Sequence, residues 1–263
     1  MWFDSHCHLD FEVFAQTRAE VWEAARAQGV AEAFVPGIAP HQWPHLTLVR
    51  EHLEGIYIGV GVHPAHVAAW AGDHASAAHS WRLREQALER GAVAIGEFGW
   101  DSRVAKGGGA SLEIQTEVAR QHLAVAEQLR LPVVLHVVGA HGPALETLRQ
   151  TAPLAAGGVV HGFSGSKETA QQYTRLGLKI GLGTGLLRPN ARRVLETARA
   201  LDDESLLLET DAPDQPIYGT EPPNRPESLV RVAQRLTELR QIPLQRLARI
   251  TTRNARRLFL RKD

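Results

Sequence analysis

The sequence predicts an α/β protein folded as one eight-stranded (β/α)8 TIM barrel, and three observations predict it. Short apolar runs bounded by turn residues recur eight times, and stretches with helical spacing separate them. Eight strand-helix units joined by right-handed crossovers is the number that closes a parallel sheet into a barrel. A length of 263 residues suits one such unit. A doubly wound open sheet is the competing arrangement.

The strands are expected at 2–7, 32–36, 56–62, 92–97, 132–136, 157–161, 178–182 and 205–210. Pro132-Val133-Val134-Leu135 and Gly158-Val159-Val160 are nearly continuous apolar runs, as strands covered on both faces require. The stretches with helical spacing between them include 18–28, 112–129, 142–149, 166–176 and 191–200, with a closing pair at 226–239 and 243–258. Two flexible stretches, Lys106-Gly107-Gly108-Gly109 and the Pro-rich 211–226, follow strands directly and are too short to join domains. Residues 1–263 therefore read as a single domain.

Hydrophobic residues make up 44% of the chain and charged residues 22%, which provides for a full-sized core and excludes extensive disorder. No apolar run reaches the ~20 residues of a membrane span, and the N-terminus lacks a basic and then apolar leader, so a cytoplasmic protein is expected. The single cysteine, Cys7, rules out an internal disulfide and reads as a buried thiol pointing away from the histidines beside it. Basic and acidic residues number 29 each, so no global positive field grips nucleic acid. The arginines between 225 and 261 read as solvated helix faces, and a phosphate-bearing partner must be attracted locally.

Chemistry concentrates where the strands end. In His6-Cys7-His8 a period of two puts both imidazoles on one face, and Asp4 and Asp10 make the segment unusually polar. Strand four runs through Val93-Ala94-Ile95-Gly96 into Glu97, strand five into His136, strand six into His161 and strand eight into Asp211. Strand three ends at His63. One such residue alone is a helix cap or a hydrogen-bonded core group; five strand ends carrying ligand types converge in a barrel on the face where active sites lie.

Of the six ligands, His6, His8, Glu97, His136, His161 and Asp211, one divalent ion takes three or four and leaves some idle, whereas two ions sharing a carboxylate use them all. Glu97, the carboxylate on a middle strand end, is the expected bridge. Two carboxylates against two such ions leave about two positive charges to attract phosphate. A water activated by both ions is the expected nucleophile, with Asp211 as its proton acceptor and His63 orienting the scissile phosphate. Glu209 is expected to hydrogen-bond a ligand and not to be one. Solvated positions are expected for most of His41, His45, His52, His66, His74, His79, His122 and His141, and no organic cofactor is expected.

These segments resemble the TatD family of metal-dependent deoxyribonucleases, within the wider amidohydrolase-like metal barrels. The likeness is carried by Asp4-Ser5-His6-Cys7-His8-Leu9-Asp10, Gly61-Val62-His63-Pro64, Gly96-Glu97-Phe98-Gly99-Trp100-Asp101 and Leu131-Pro132-Val133-Val134-Leu135-His136. It continues in Val160-His161-Gly162-Phe163-Ser164-Gly165-Ser166, Leu208-Glu209-Thr210-Asp211-Ala212-Pro213, Pro223-Asn224-Arg225-Pro226 and the tail from Thr252 to Phe259. The resemblance implies that His6, His8, Glu97 and Asp211 hold one ion and Glu97, His136 and His161 the other. It also implies hydrolysis of DNA phosphodiesters, as an exonuclease on single strands or frayed ends, with Mg2+, Mn2+ or Zn2+. The chain departs from the family pattern at Val137-Val138, where a small polar residue and an arginine are usual, and at Thr116, where arginine is common.

Two other readings stay open at this level. The same barrel could hydrolyse C–N or ester bonds of a small molecule, as amidase and lactonase relatives do. Those often bridge their metals with a modified lysine on strand four, where this chain has Glu97, with Lys106 nine residues on. A non-catalytic metal-binding protein is the other reading.

Overall fold

The computed structural model describes residues 1–72 and 76–260, and His74 therefore lies outside the described residues. Eight parallel strands run in sequence order: β1 (Trp2–Asp4), β2 (Val30–Val35), β3 (Ile56–Val60), β4 (Ala94–Asp101), β5 (Val133–Val138), β6 (Gly158–Val160), β7 (Leu178–Leu182) and β8 (Leu206–Leu208). The helices between and after them are α1 (Arg18–Ala27), α2 (Trp43–His52), α3 (Val67–Ala71), α4 (Ala77–Glu89), α5 (Ser102–Lys106) and α6 (Leu112–Leu129). The series ends with α7 (His141–Thr151), α8 (Lys167–Arg175), α9 (Arg192–Ala200), α10 (Leu229–Arg240) and α11 (Leu244–Phe259). This is a (β/α)8 TIM barrel, the class that the alternation predicts.

The seam between β8 and β1 is closed by the chain just after β1. Ser5 N–H donates to the Leu208 carbonyl at 2.9 Å, Cys7 N–H to Phe34 at 3.1 Å and His8 N–H to Ala212 at 2.6 Å. Residues 5–8 thus serve both neighbours in turn. This corrects the expected strand 2–7: the strand stops at Asp4, and His6 and His8 sit in the segment that stitches the barrel shut.

A period of two along the strands explains why the barrel has a greasy floor and a polar mouth. Phe3, Phe34, Ala94, Val134, Val159 and Leu207 form an inner cluster with Ala255, Leu258 and Phe259 of α11, which plugs the bottom. Phe259 stacks on Phe34 with ring centroids 4.5 Å apart. On the same face two residues onward stand His136, His161 and Glu209, and two beyond Glu209 stands Asp211. A second, larger cluster fills the layer between sheet and helices, including Cys7, which is fully buried.

Helix α6 carries His122, one of the histidines for most of which solvent is expected, and it is an exception. His122 is 1% exposed, because it lies on the stripe of Val118, Ala119, Leu123 and Ala126 that packs inward. Its Nδ1–H donates to the Val118 carbonyl at 2.8 Å, and its Nε2 accepts from Val62 N–H at 3.1 Å. That arrangement needs the neutral ring, and burial holds its pKa down at about 4. A depressed pKa contributes stability that is complete above the ordinary value near 6.5 and is lost as pH falls towards 4. Between pH 7 and 4.5 the wild type should therefore lose about 2 kcal/mol more than His122→Gln in urea denaturation. Parallel pH profiles for the two proteins would refute this role.

Candidate metal centre

Glu97 owes its position to an irregularity in β4. Gly96 pairs with Val134 and Phe98 with Leu135, so Glu97 is the extra residue of a β-bulge, a device that re-aims a side chain. Its N–H donates to the Gly37 carbonyl at 2.7 Å on the β2 side. Gly61 at the end of β3 is needed for this close approach, since a Cβ there would stand 2.6 Å from the Gly96 backbone. The bulge turns a buried carboxylate, 2% exposed, into the middle of the mouth.

Around that carboxylate the predicted residues come together. Glu97 Oε2 lies 3.2 Å from His6 Nε2 and 3.6 Å from His8 Nε2. Asp211 Oδ1 lies 3.5 Å from His6 Nε2 and 3.6 Å from His8 Nε2, and the two imidazole nitrogens are 3.3 Å apart. The other oxygen, Glu97 Oε1, lies 2.9 Å from His136 Nδ1 and 2.7 Å from His161 Nε2, which are themselves 3.2 Å apart. Ligand atoms about 2.1 Å from a shared ion stand about 3.0 to 3.4 Å apart, so both groups have spacings that fit a divalent cation. Among the described residues three triads could hold an ion: His6, His161 and Asp211; His6, His8 and Glu97; and His63, Glu97 and His136.

Asp211 reaches the cluster from a left-handed backbone conformation, φ 57°, which aspartate tolerates better than most residues. Its Oδ2 accepts from Gln215 Nε2 at 2.7 Å, leaving Oδ1 to face the two histidines. Sequence reading did not single out Gln215. It also missed Asp101, whose Oδ2 stands 3.2 Å from His136 Nε2 and so steers the opposite nitrogen, Nδ1, towards Glu97. Alternation along β4 puts Asp101 on the face of Gly99 and close to the mouth, a signal present in the sequence.

His63 sits at the rim, with Nε2 3.7 Å from Glu97 Oε1. Its Nδ1 accepts from Ala65 N–H at 3.1 Å, so the neutral ring carries its proton on Nε2, facing the centre. Glu209 is fully buried, accepts a hydrogen bond from Gly162 N–H and lies 3.9 Å from His161 Nδ1. Beneath them Asp4 accepts from Thr210 Oγ1–H at 2.6 Å and from the N–H groups of Thr210 and His6. His41, His45 and His52 are exposed, whereas His66, His79 and His141 are half-buried and away from this cluster.

The electrostatics are those of a pocket crowded with unlike groups. Burial opposes charge on Glu97 and Asp211, yet the surrounding imidazoles hold both well below the usual carboxylate range. Burial likewise opposes charge on His161, but Glu97 outweighs it and pushes the ring up to about 10. Burial takes His6 down to about 4 and His63 to about 3. Asp4 and Glu209, buried with less compensation, are raised to about 7 and about 8. The Nδ1 atoms of His6, His8 and His161 have no hydrogen-bond partner within the described residues.

If Asp101 fixes the orientation of His136, Asp101→Asn should lower metal affinity or kcat about 10- to 100-fold while Asp101→Glu restores part of it. An unchanged metal titration and unchanged kcat in Asp101→Asn would dismiss that positioning role.

Comparison with known proteins adds to this geometry. The profile of the family described as TatD related DNase matches residues 3–260. The uncharacterized metal-dependent hydrolase YjjV of Escherichia coli K12 is 35% identical over 261 residues, covering 97% of this chain and 96% of its own. A protein of Erwinia tasmaniensis named 3'-5' ssDNA/RNA exonuclease TatD is 32% identical over 265 residues, covering 98% of this chain and 99% of its own. The crystal structure of the Escherichia coli TatD homologue YjjV superposes with a TM-score of 0.88 at 33% identity, covering 99% of this chain and 98% of that one. Among the described residues no helix is long and apolar enough to cross a membrane.

Proposed function

The chain belongs to the TatD-related DNase family of metal-dependent hydrolases, and from that premise we propose that it cleaves phosphodiester bonds of DNA as an exonuclease on single strands or frayed ends. One observation carries the reading: the two oxygens of one buried carboxylate, Glu97, face two separate sets of imidazole donors. Such a bridge suits two divalent ions, with His6, His8 and Asp211 on one side and His136 and His161 on the other. When bound, such ions supply Lewis-acid polarisation of a phosphodiester and acidify water.

The residues then divide the work. Glu97 holds the two halves of the centre at a fixed separation. Asp211, with Oδ2 tied to Gln215, presents Oδ1 to accept the proton of an attacking water. His63 presents Nε2–H at the rim, where it donates to a phosphate oxygen and orients the substrate. Neutral His63 is the form that burial favours, so the donor is available across the physiological range.

Chelator-washed protein is expected to lose hydrolysis of single-stranded DNA and to regain it with manganese or magnesium. Hydrolysis of simple esters or amides, with none of DNA or of bis(p-nitrophenyl) phosphate, would replace this reading by the small-molecule one.

A further inference from the structure

Helix α11 closes the floor of the barrel with Ala255, Leu258 and Phe259 and turns arginines outward on another face. It carries Arg246, Arg249, Arg253, Arg256 and Arg257 and no acidic residue. Two of these are neutralised: Arg246 lies 3.2 Å from Asp203 Oδ2, and Arg256 lies 2.7 Å from Glu32 Oε2. The guanidinium groups of Arg249, Arg253 and Arg257 have no hydrogen bond or ion pair among the described residues. All three line one groove.

That groove, of about 1020 Å³, follows α11 from Leu244 to Leu260 and is bounded by the chain entering β1. Thr252 Oγ1–H donates to the Met1 carbonyl at 3.1 Å and holds that segment against the helix. Trp2, Leu244, Ala248 and Leu260 make the lining partly apolar, while Gln245 and Thr252 are its neutral polar residues. Arg256, its charge met by Glu32, is there too, and no aspartate or glutamate lines the groove among the described residues. In a chain whose net charge is zero, this is a local concentration of unmet positive charge.

The spacing of the charges narrows the choice of anion. Arg249, Arg253 and Arg257 recur every four residues and so climb the helix in steps of about 6 Å. Successive phosphates of an extended single strand recur at a similar step, guanidinium groups pair with phosphate through two donors, and each unpaired base has a flat face to lay on apolar surface. A duplex keeps its bases stacked inside, and an acidic peptide has no such rings. We infer that this groove binds single-stranded nucleic acid at the floor end of the barrel, away from the metal centre, with the three free arginines on successive phosphates. The binding stands on the groove alone; its use, to retain the body of a long strand whose end is being cut, rests on the nuclease reading.

Fluorescence anisotropy of a labelled 30-nucleotide single strand with chelator-washed protein measures binding without turnover. In the double variant Arg249→Gln/Arg253→Gln, at exposed positions with no side-chain hydrogen bonds to lose, Kd should rise about tenfold. The slope of log affinity against log salt should flatten by about 1.4, roughly 0.7 for each charge removed. Arg231→Gln, which removes an exposed arginine of α10 outside the groove, should leave Kd within about twofold. An unchanged Kd in the double variant, an equal loss in Arg231→Gln, or a duplex of the same sequence bound as tightly overturns the inference. So does a polyglutamate peptide that displaces the strand as well as unlabelled strand does, which would make the groove a site for an acidic protein. Should the metal-loaded protein bind the strand in this way yet leave it and bis(p-nitrophenyl) phosphate intact, the nuclease reading falls and the groove stands.

Discussion

Glu97→Gln is expected to lower hydrolysis on the order of a thousandfold, the scale set by the several kcal/mol that a correctly held metal contributes to a transition state. The substitution keeps size and shape but replaces one oxygen with an amide NH2, which faces a cation with its hydrogens. In the fold, Oε1 and Oε2 each stand within 3.6 Å of at least two imidazole nitrogens, so either orientation of the amide spoils one half of the centre. Metal content measured on the purified variant should fall together with rate. Far-UV circular dichroism should be unchanged, because Glu97 N–H, which bonds Gly37, survives the substitution. Glu97→Asp, one methylene shorter, should retain more activity than Gln yet stay well below wild type. A Glu97→Gln protein with full metal content and near-normal turnover would strip Glu97 of its bridging role.

That prediction depends on a carboxylate whose place in the fold was only half legible in the sequence. The change from Val93-Ala94-Ile95-Gly96 to Glu97 marks a strand end, and the structure instead carries β4 on to Asp101 with Glu97 in a bulge. Apolar periodicity reports which face is buried, but it does not report an extra residue inserted between two ladder bonds. The boundary error hid Asp101, which then falls outside the expected strand although it touches His136. Where no such irregularity intervenes, pattern and structure agree closely: β7 is 178–182 and α6 is 112–129 in both.

Helices α2 and α4 show the opposite failure. The alternation calls for a helix in each of these intervals but the sequence marks no bounds for either, and α4 explains why, since Trp81 and Leu88 stand 62% and 55% exposed on it while Leu83 and Ala87 are buried. Apolar residues on both faces blur the stripe from which a helix is read. His122 is the reverse case, a polar residue within a clean apolar stripe, and its hydrogen bond to Val62 N–H is a tertiary fact that periodicity cannot carry.

Removal of metal is expected to lower stability as well as activity, by about 4 kcal/mol for a single ion present at a thousand times its dissociation constant. For a domain of this size that corresponds to roughly 10 °C in Tm. Four carboxylates gather at and beneath the mouth. Glu97, Asp211, Asp4 and Glu209 are all buried, and without cations their charge is balanced by protons and imidazolium, as the raised values of Asp4, Glu209 and His161 record. Divalent ions bind the folded arrangement because distant segments, from His6 to Asp211, supply ligands that the unfolded chain scatters. Scanning calorimetry with chelator, and then with graded manganese, should show Tm rising with the logarithm of free metal. The Glu97→Gln protein should show a smaller rise, since one half of its centre is spoiled. A Tm indifferent to chelator and manganese in the wild type would mean that these side chains do not hold ions in solution.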